Sequence, residues 1–313
     1  MRILIIANTY IGDVTLSTGV INYFLKKYPN AKFTIAAGPS TTFLFEDFPN
    51  LEKIIPVKKK SYSRHWFELW KKCFSTKWDI IIDFKHSPIC LFLRAKKKIC
   101  KQKKIRTAET KIEQNSRFAD INSTCKPSLW FHKDRTLKAR TLLNSHNKKK
   151  LIALAPTTNW LPKMWPIENF VELAKQLLAQ KEFSDAVFLI LAAPHELRFC
   201  KPLFDAIPPS HLLDLTIDLP LLTKVACIKQ SNLFIGNDSG LLHIASACDI
   251  PVIGLFGPTT TTAYYPQGEK AIVIKAPLTE NDMPAVDQTV MRRISINEVL
   301  KKTICGVNKK LKG

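Results

Sequence analysis

Four uninterrupted apolar runs constrain the fold of this chain more than any other feature: LIALAP (151–156), AVFLILAA (186–193), NLFIG (232–236) and PVIGLFG (251–257). A strand wetted on one face alternates apolar and polar residues, so a run without alternation suits a strand covered on both faces, as in parallel sheets flanked by helices. Helical patterns separate the runs: ENFVELAKQLLAQ (168–180), HELRFCKPLF (195–204), LPLLTKVACIKQ (219–230) and LLHIASA (241–247). The first half repeats the plan. RILIIA (2–7), FTIAA (33–37), KIIPV (53–57) and DIIIDF (79–84) are strand-like, and VINYFLKKY (20–28) and HWFELWKKC (65–73) have the i, i+3, i+4 spacing of amphipathic helices. This alternation predicts βαβ units and an α/β fold of two Rossmann-like doubly wound domains, residues 1–148 and 149–313, divided in the polar end of TLKARTLLNSHNKKK (136–150). Two such domains are expected to face a cleft, with ligands at the carboxyl ends of the strands. The tail SINEVLKKTICGVNKKL (295–311) reads as a terminal helix and is a candidate to cross back onto the first domain.

Charge is divided as sharply as the strands are repeated. Residues 1–150 hold 31 Lys+Arg against 11 Asp+Glu, a net of +20, while residues 151–313 hold 16 against 15. A field of that sign gathers anionic partners, which for a chain of this class means nucleic acid or an anionic membrane surface. The most basic run, RAKKKICKQKKIR (94–106), is interrupted by apolar residues and reads as a solvated strand-loop face. Only five apolar residues follow Arg2, too few for a secretory signal, and no window of ~18 apolar residues suggests a spanning helix. The eight cysteines form no Cys-x-x-Cys pair, which argues against zinc and suits a reducing cytoplasm.

The stretch FIGNDSGLLHIASACDIPVIGLFGPT (234–259) carries the chemistry. Asp238, Ser239 and Gly240 fall where a strand ends and a helix begins, and there unpaired backbone N–H groups and the helix dipole favour an anion. Glycine permits close approach, a serine hydroxyl adds a donor, and a diphosphate is the natural guest. Asp238 or Ser239 serving only as a helix cap is the competing reading. His243, on the first helical turn, is a candidate for the same site.

Taken together, NDSGLLHIASACDIPVIGLFGPTTTTAYYP closely resembles the signature of the ADP-heptose:lipopolysaccharide heptosyltransferases, glycosyltransferase family 9. Three further blocks support the resemblance in family order: MRILII followed by Ile11-Gly12-Asp13-Val14 and a helix ending near Pro29; APTTNWLPKMWP (155–166); and Glu196 after AVFLILAA. The tail MRRISINEVLKK also resembles the family's ending, so the likeness spans the chain.

The resemblance implies a metal-independent, inverting glycosyltransferase of the GT-B type. Asp13 would be the general base that takes the proton from the acceptor hydroxyl. Lys163 would stabilise the charge growing on the departing pyrophosphate. Thr157 and Thr158 would donate to the phosphates, Glu196 would contact the nucleotide ribose, and Asp238, Ser239, Gly240 and His243 would complete the donor site. Thr9, Tyr10 and Gly12 would lie near the acceptor or sugar.

The implied donor is the nucleotide sugar ADP-heptose, and the implied acceptor is the anionic Kdo-lipid A inner core at the cytoplasmic face of the inner membrane. Peripheral attachment would run through charge and the aromatic-basic segment HWFELWKKC. No cofactor, metal or nucleic-acid partner is expected. The sequence departs from the family pattern at Ala7, Thr9-Tyr10, Gly19 and Val290, and the bulky Tyr10 beside Asp13 makes the donor sugar less secure than the reaction type. A family member with another nucleotide sugar or surface-glycan acceptor is the nearest alternative, and a basic nucleic-acid-binding protein is the alternative of another class.

Overall fold

The computed structural model describes residues 1–100, 109–146, 149–268, 270–282 and 285–310, with backbone alone for 281 and 307–310. Residues 101–106 of the basic run and residue 148 at the expected domain boundary lie outside them. The chain forms two compact units, Met1–Phe131 and His132–Gly313.

In the first unit, β1 (Arg2–Ile6), β2 (Lys32–Ala37), β3 (Leu51–Pro56), β4 (Trp78–Asp83) and β5 (Ala95–Ile99) form one sheet in the order β3-β2-β1-β4-β5. All its pairings are parallel, with Ile3, Leu4 and Ile5 of β1 lying between Phe33–Ile35 and Ile80–Ile82. Helices α1 (Ile11–Lys27), α2 (Arg64–Cys73), α3 (Ile89–Phe92) and α4 (Lys111–Phe118) complete the unit. Because strand order reverses between β1 and β4, the loops leaving these two strands part to opposite sides and open a crevice at the sheet's carboxyl edge.

Helix α1 is unusual in burying Thr15, Ser17 and Thr18. Their hydroxyls are satisfied by donating back to the carbonyls of Ile11, Val14 and Thr15 at 2.7–2.8 Å. The segment after α4 is laced onto this helix: Asn115 Nδ2 donates to the Leu16 carbonyl at 3.0 Å, and the Ser128 N–H donates to Thr18 Oγ1 at 3.0 Å.

The second unit contains α5 (Lys133–Leu143), β6 (Leu151–Ala155), α6 (Ile167–Leu178), β7 (Val187–Ile190), α7 (Leu197–Ala206), β8 (Leu212–Asp214), α8 (Leu221–Gln230), β9 (Leu233–Asn237), α9 (Gly240–Ala247), β10 (Val252–Phe256), α10 (Thr261–Tyr264), β11 (Ala271–Lys275), α11 (Thr289–Arg292) and α12 (Ile296–Lys310). Its sheet is parallel throughout in the order β11-β10-β9-β6-β7-β8, so its reversal point falls between β6 and β9. Continuous burial of β6, β7, β9 and β10 agrees with their unbroken apolar sequences.

Two expectations about organisation change. The division falls between Phe131 and His132 rather than after residue 148, because α5 packs on α8: Ala139 and Leu143 are buried and the Arg135 guanidinium donates to Thr223 Oγ1 at 3.3 Å. The terminal helix α12 lies on α6, β9 and β10 of its own unit, where Val299 and Thr303 are buried and Ile296, Leu300 and Ile304 pack at the edge of the core. Its apolar stripe seals that core.

Gly19 has a steric explanation. A Cβ there would overlap the carbonyl oxygen of Cys125 and come within 2.6 Å of that of Lys126. Helix propensity alone would favour alanine by about 1 kcal/mol. Gly19→Ala is instead expected to destabilise the protein by about 1–3 kcal/mol, since backbone in direct overlap cannot yield as a side chain does. Urea unfolding of the two proteins checks this.

Candidate active site

At the reversal point of the second sheet, Asn237 ends β9 with its side chain fully buried. Its Nδ2 donates to the Pro156 carbonyl at 2.8 Å, just past β6, and its Oδ1 accepts the Trp165 N–H at 2.9 Å. One carboxamide thus ties the loop 157–165 to both central strands. Trp165 is buried against Phe170, with ring centroids 4.9 Å apart, and its indole N–H donates to the Ile294 carbonyl at 3.0 Å. Gln288 Nε2 holds the Met164 carbonyl at 2.9 Å. Gly257, past β10, leaves room for this arrangement, because a Cβ there would overlap the Met291 sulfur and reach within 3.4 Å of the Pro162 carbonyl.

The fixed loop delivers Lys163. Its Nζ lies 2.8 Å from Asp238 Oδ2, the same oxygen that accepts the Thr259 hydroxyl at 2.8 Å. Asp238 is buried and Lys163 is mostly so, with 9% and 22% of their side chains exposed. The Asp238 carboxylate is therefore committed to orienting the ammonium, and a negative group in this position repels a phosphate. Asp238 thus pairs with Lys163 and with Thr259 through one oxygen.

The helix-cap reading fails on the same geometry. Ser239 occupies the N-cap of α9 but makes no side-chain cap bond, and its buried hydroxyl has no hydrogen-bond partner among the described residues. His243 is buried one turn on, its ring 6.2 Å from that of Tyr264.

On the other side of β6, the Thr157 hydroxyl donates to Glu196 Oε2 at 2.6 Å, and the Ala193 N–H donates to the same oxygen at 3.0 Å. Thr158 is not drawn into this group; its hydroxyl reaches Asn159 Oδ1 at 3.3 Å. Neither Gly12 nor Gly240 adopts a left-handed backbone, so glycine is required at neither position by conformation.

The first unit has a parallel arrangement at its own reversal point. Tyr10 is the N-cap of α1 and is 74% exposed, so its ring stands away from the fold, and Asp13 lies in the first helical turn behind it. Lys85, just past β4, donates from Nζ to Thr9 Oγ1 at 2.6 Å and sits 5.5 Å from the centre of the Trp66 ring. Burial lowers this ammonium below the ordinary lysine range, and the nearby Asp83 offsets part of the effect. Asp83 ends β4 fully buried, accepting from the Ser87 N–H and hydroxyl at 2.8 and 2.6 Å and from the Lys85 N–H at 3.0 Å.

Sequence reasoning passed over Asn237, Thr259, Asp83 and Lys85. The first two stand inside the quoted motif, Asp83 lies within DIIIDF and Lys85 follows it, at the strand end where the fold expects ligands. Among the described residues, no group of three or more histidine, cysteine or acidic side chains is gathered in a way that could hold a metal ion.

Two units, each built on a parallel sheet flanked by helices, have the GT-B architecture. The chain belongs to glycosyltransferase family 9 (heptosyltransferase), whose sequence profile matches residues 85–293. It is 25% identical over 301 residues to the lipooligosaccharide heptosyltransferase 2 of Campylobacter jejuni, covering 92% of each chain. A glycosyl transferase family 9 structure from Veillonella parvula superposes with a TM-score of 0.80 at 19% identity, over 98% of this chain and 97% of that one. The ADP-heptose lps heptosyltransferase II of E. coli superposes with a TM-score of 0.78 at 18% identity, over 99% of both.

Burial raises the Asp83 carboxyl above its ordinary range despite the donors from Ser87 and the Lys85 N–H. A carboxyl whose folded pKa lies above the unfolded value of about 3.9 contributes most to stability below that value and loses its contribution as pH rises through the folded one. The stability of Asp83→Asn relative to the native chain is therefore expected to improve from about pH 4 to about pH 7 in paired urea titrations. A pH-independent difference would contradict the raised value.

Proposed function

We propose that this enzyme transfers heptose from ADP-heptose to the inner core of lipopolysaccharide, with inversion at the anomeric carbon, at the cytoplasmic face of the inner membrane. The observation that carries the reading is the oriented lysine: Lys163 held at 2.8 Å by Asp238, beside the N-terminus of α9 with its open serine hydroxyl. A diphosphate leaving group gains negative charge as the glycosidic bond breaks. An ammonium already fixed in position stabilises that charge without reorganising, so its effect is larger in the transition state than in the ground state.

In this reading the second unit holds the donor. The N–H groups opening α9 and the Ser239 hydroxyl face the phosphates, Lys163 supplies the cationic charge, and Thr157 keeps one Glu196 oxygen engaged so that the other can accept a ribose hydroxyl. No metal or other cofactor is assigned a step. The choice of ADP-heptose follows the named substrate of the E. coli structure and the names of the curated relatives.

The first unit, with its net basic charge, holds the anionic acceptor. Asp13 takes the proton from the acceptor hydroxyl as its oxygen attacks the anomeric carbon, and the C–O bond to the diphosphate breaks on the opposite face of the sugar.

Thermal unfolding with ADP, UDP, GDP and ADP-heptose tests the donor site. Stabilisation is expected from the adenine ligands and is expected to be lost in Lys163→Ala; selectivity for UDP or GDP would discard ADP-heptose. Asp13→Asn is expected to bind ADP as the native enzyme does while turnover falls by about 10²–10⁴. Unchanged turnover in that variant would remove Asp13 from the base role. Salt-steep duplex binding with no response to any nucleotide would favour the nucleic-acid-binding alternative.

A further inference from the structure

We propose that α2 and α3 form one docking face through which the first unit seats on an anionic lipid bilayer, an inference that rests on the reading of the acceptor as a membrane glycolipid. Helix α2 turns Leu69 and Cys73 inward, packs the partly buried Trp70 against the same core, and leaves Phe67 and, just past its end, Phe74 exposed. Spaced i, i+3, i+7, these rings stack in a row, with centroids 5.8 and 4.8 Å apart. The Trp70 indole N–H donates to the Phe92 carbonyl at 3.4 Å, which joins the row to α3. That short helix buries Ile89 and Cys90 and turns outward its two largest remaining side chains, Leu91 at 65% and Phe92 at 72% exposure. Phe67 and Phe74 are 56% and 48% exposed. Two separate elements thus bring their exposed apolar groups to one place, which a surface serving only solubility has no reason to do.

The charge around the patch selects its partner. Residues 58–100 contain twelve Lys+Arg against three Asp+Glu. The cations are interleaved with the rings: Lys71 Nζ lies 4.7 Å from the centre of the Phe67 ring, and Lys98 Nζ donates to the Leu91 carbonyl at 3.0 Å. The core of a protein–protein interface is depleted of lysine. A bilayer surface suits both features, because rings enter the boundary between headgroups and acyl chains while lysine stems lie along them and keep the ammonium at the phosphates.

Sedimentation of the full chain with vesicles of phosphatidylcholine, alone or with about 30% phosphatidylglycerol at about 0.1 M salt, tests the face. The native chain is expected to bind the anionic vesicles at least about tenfold more tightly than the neutral ones. Phe67→Ser with Phe92→Ser is expected to lower anionic-vesicle binding about tenfold or more, and Leu91→Ser with Phe92→Ser to act in the same direction. No binding by the native chain, equal binding to both vesicles, or undiminished binding by both double variants would each overturn the proposal. Stabilisation by ADP, measured on the same proteins, reports separately on the donor site. Its absence beside intact vesicle binding would count against the proposed reaction, and its presence beside failed vesicle binding would count against the docking face.

Discussion

The second unit turns on the buried carboxamide of Asn237. Its two ends satisfy one carbonyl past β6 and one N–H in the loop that carries Lys163, so the ends of two central strands and the functional loop are held by a single planar group. An aspartate here would keep the acceptor but lose the donor, leaving the Pro156 carbonyl short of a partner beside a buried charge. The Trp165 anchor, the space left at Gly257 and the ion pair of Lys163 with Asp238 are each arranged about that group. Rigidity of this kind is what an electrostatic catalyst requires, since a cation that must be repositioned during the reaction loses much of its effect.

The same device recurs in simpler form in the first unit. There the reversal point lies between β1 and β4, and Lys85 from one strand end reaches Thr9 from the other, as Lys163 past β6 reaches Asp238 past β9. The partners differ in charge. A carboxylate fixes Lys163, whereas a hydroxyl fixes Lys85, whose burial lowers it below the ordinary lysine range.

Most of this architecture was legible in the sequence because strands covered on both faces cannot hide: LIALA, VFLI, LFIGN and VIGLF carry no polar interruption before the functional ends. The edge strands were harder to read. AKKKI of β5 is mostly lysine and LLD of β8 is three residues long, while AIVIK of β11 is too short for periodicity to separate it from a buried helical turn. The candidate site residues that the sequence did offer were visible as types but not as partners. Lys163 and Asp238 are 75 residues apart, and only the reversal of strand order brings them together. Hence the sequence placed Lys163 at the pyrophosphate and Asp238 in the donor site without showing that the two side chains pair. The boundary at residue 148 was misread for a related reason: α5 has little apolar surface, and its allegiance is decided by Ala139, Leu143 and one arginine rather than by its composition.

The lysines of β5 have a second consequence. This strand lies at the edge of its sheet, paired only with β4 among the described residues. Such an edge recruits strands from other molecules unless something deters them. Lys96, Lys97 and Lys98, all exposed, make a second copy of the same edge electrostatically unwelcome. Their like charge thereby disfavours edge-to-edge pairing of copies, and neutralising these lysines would remove that repulsion.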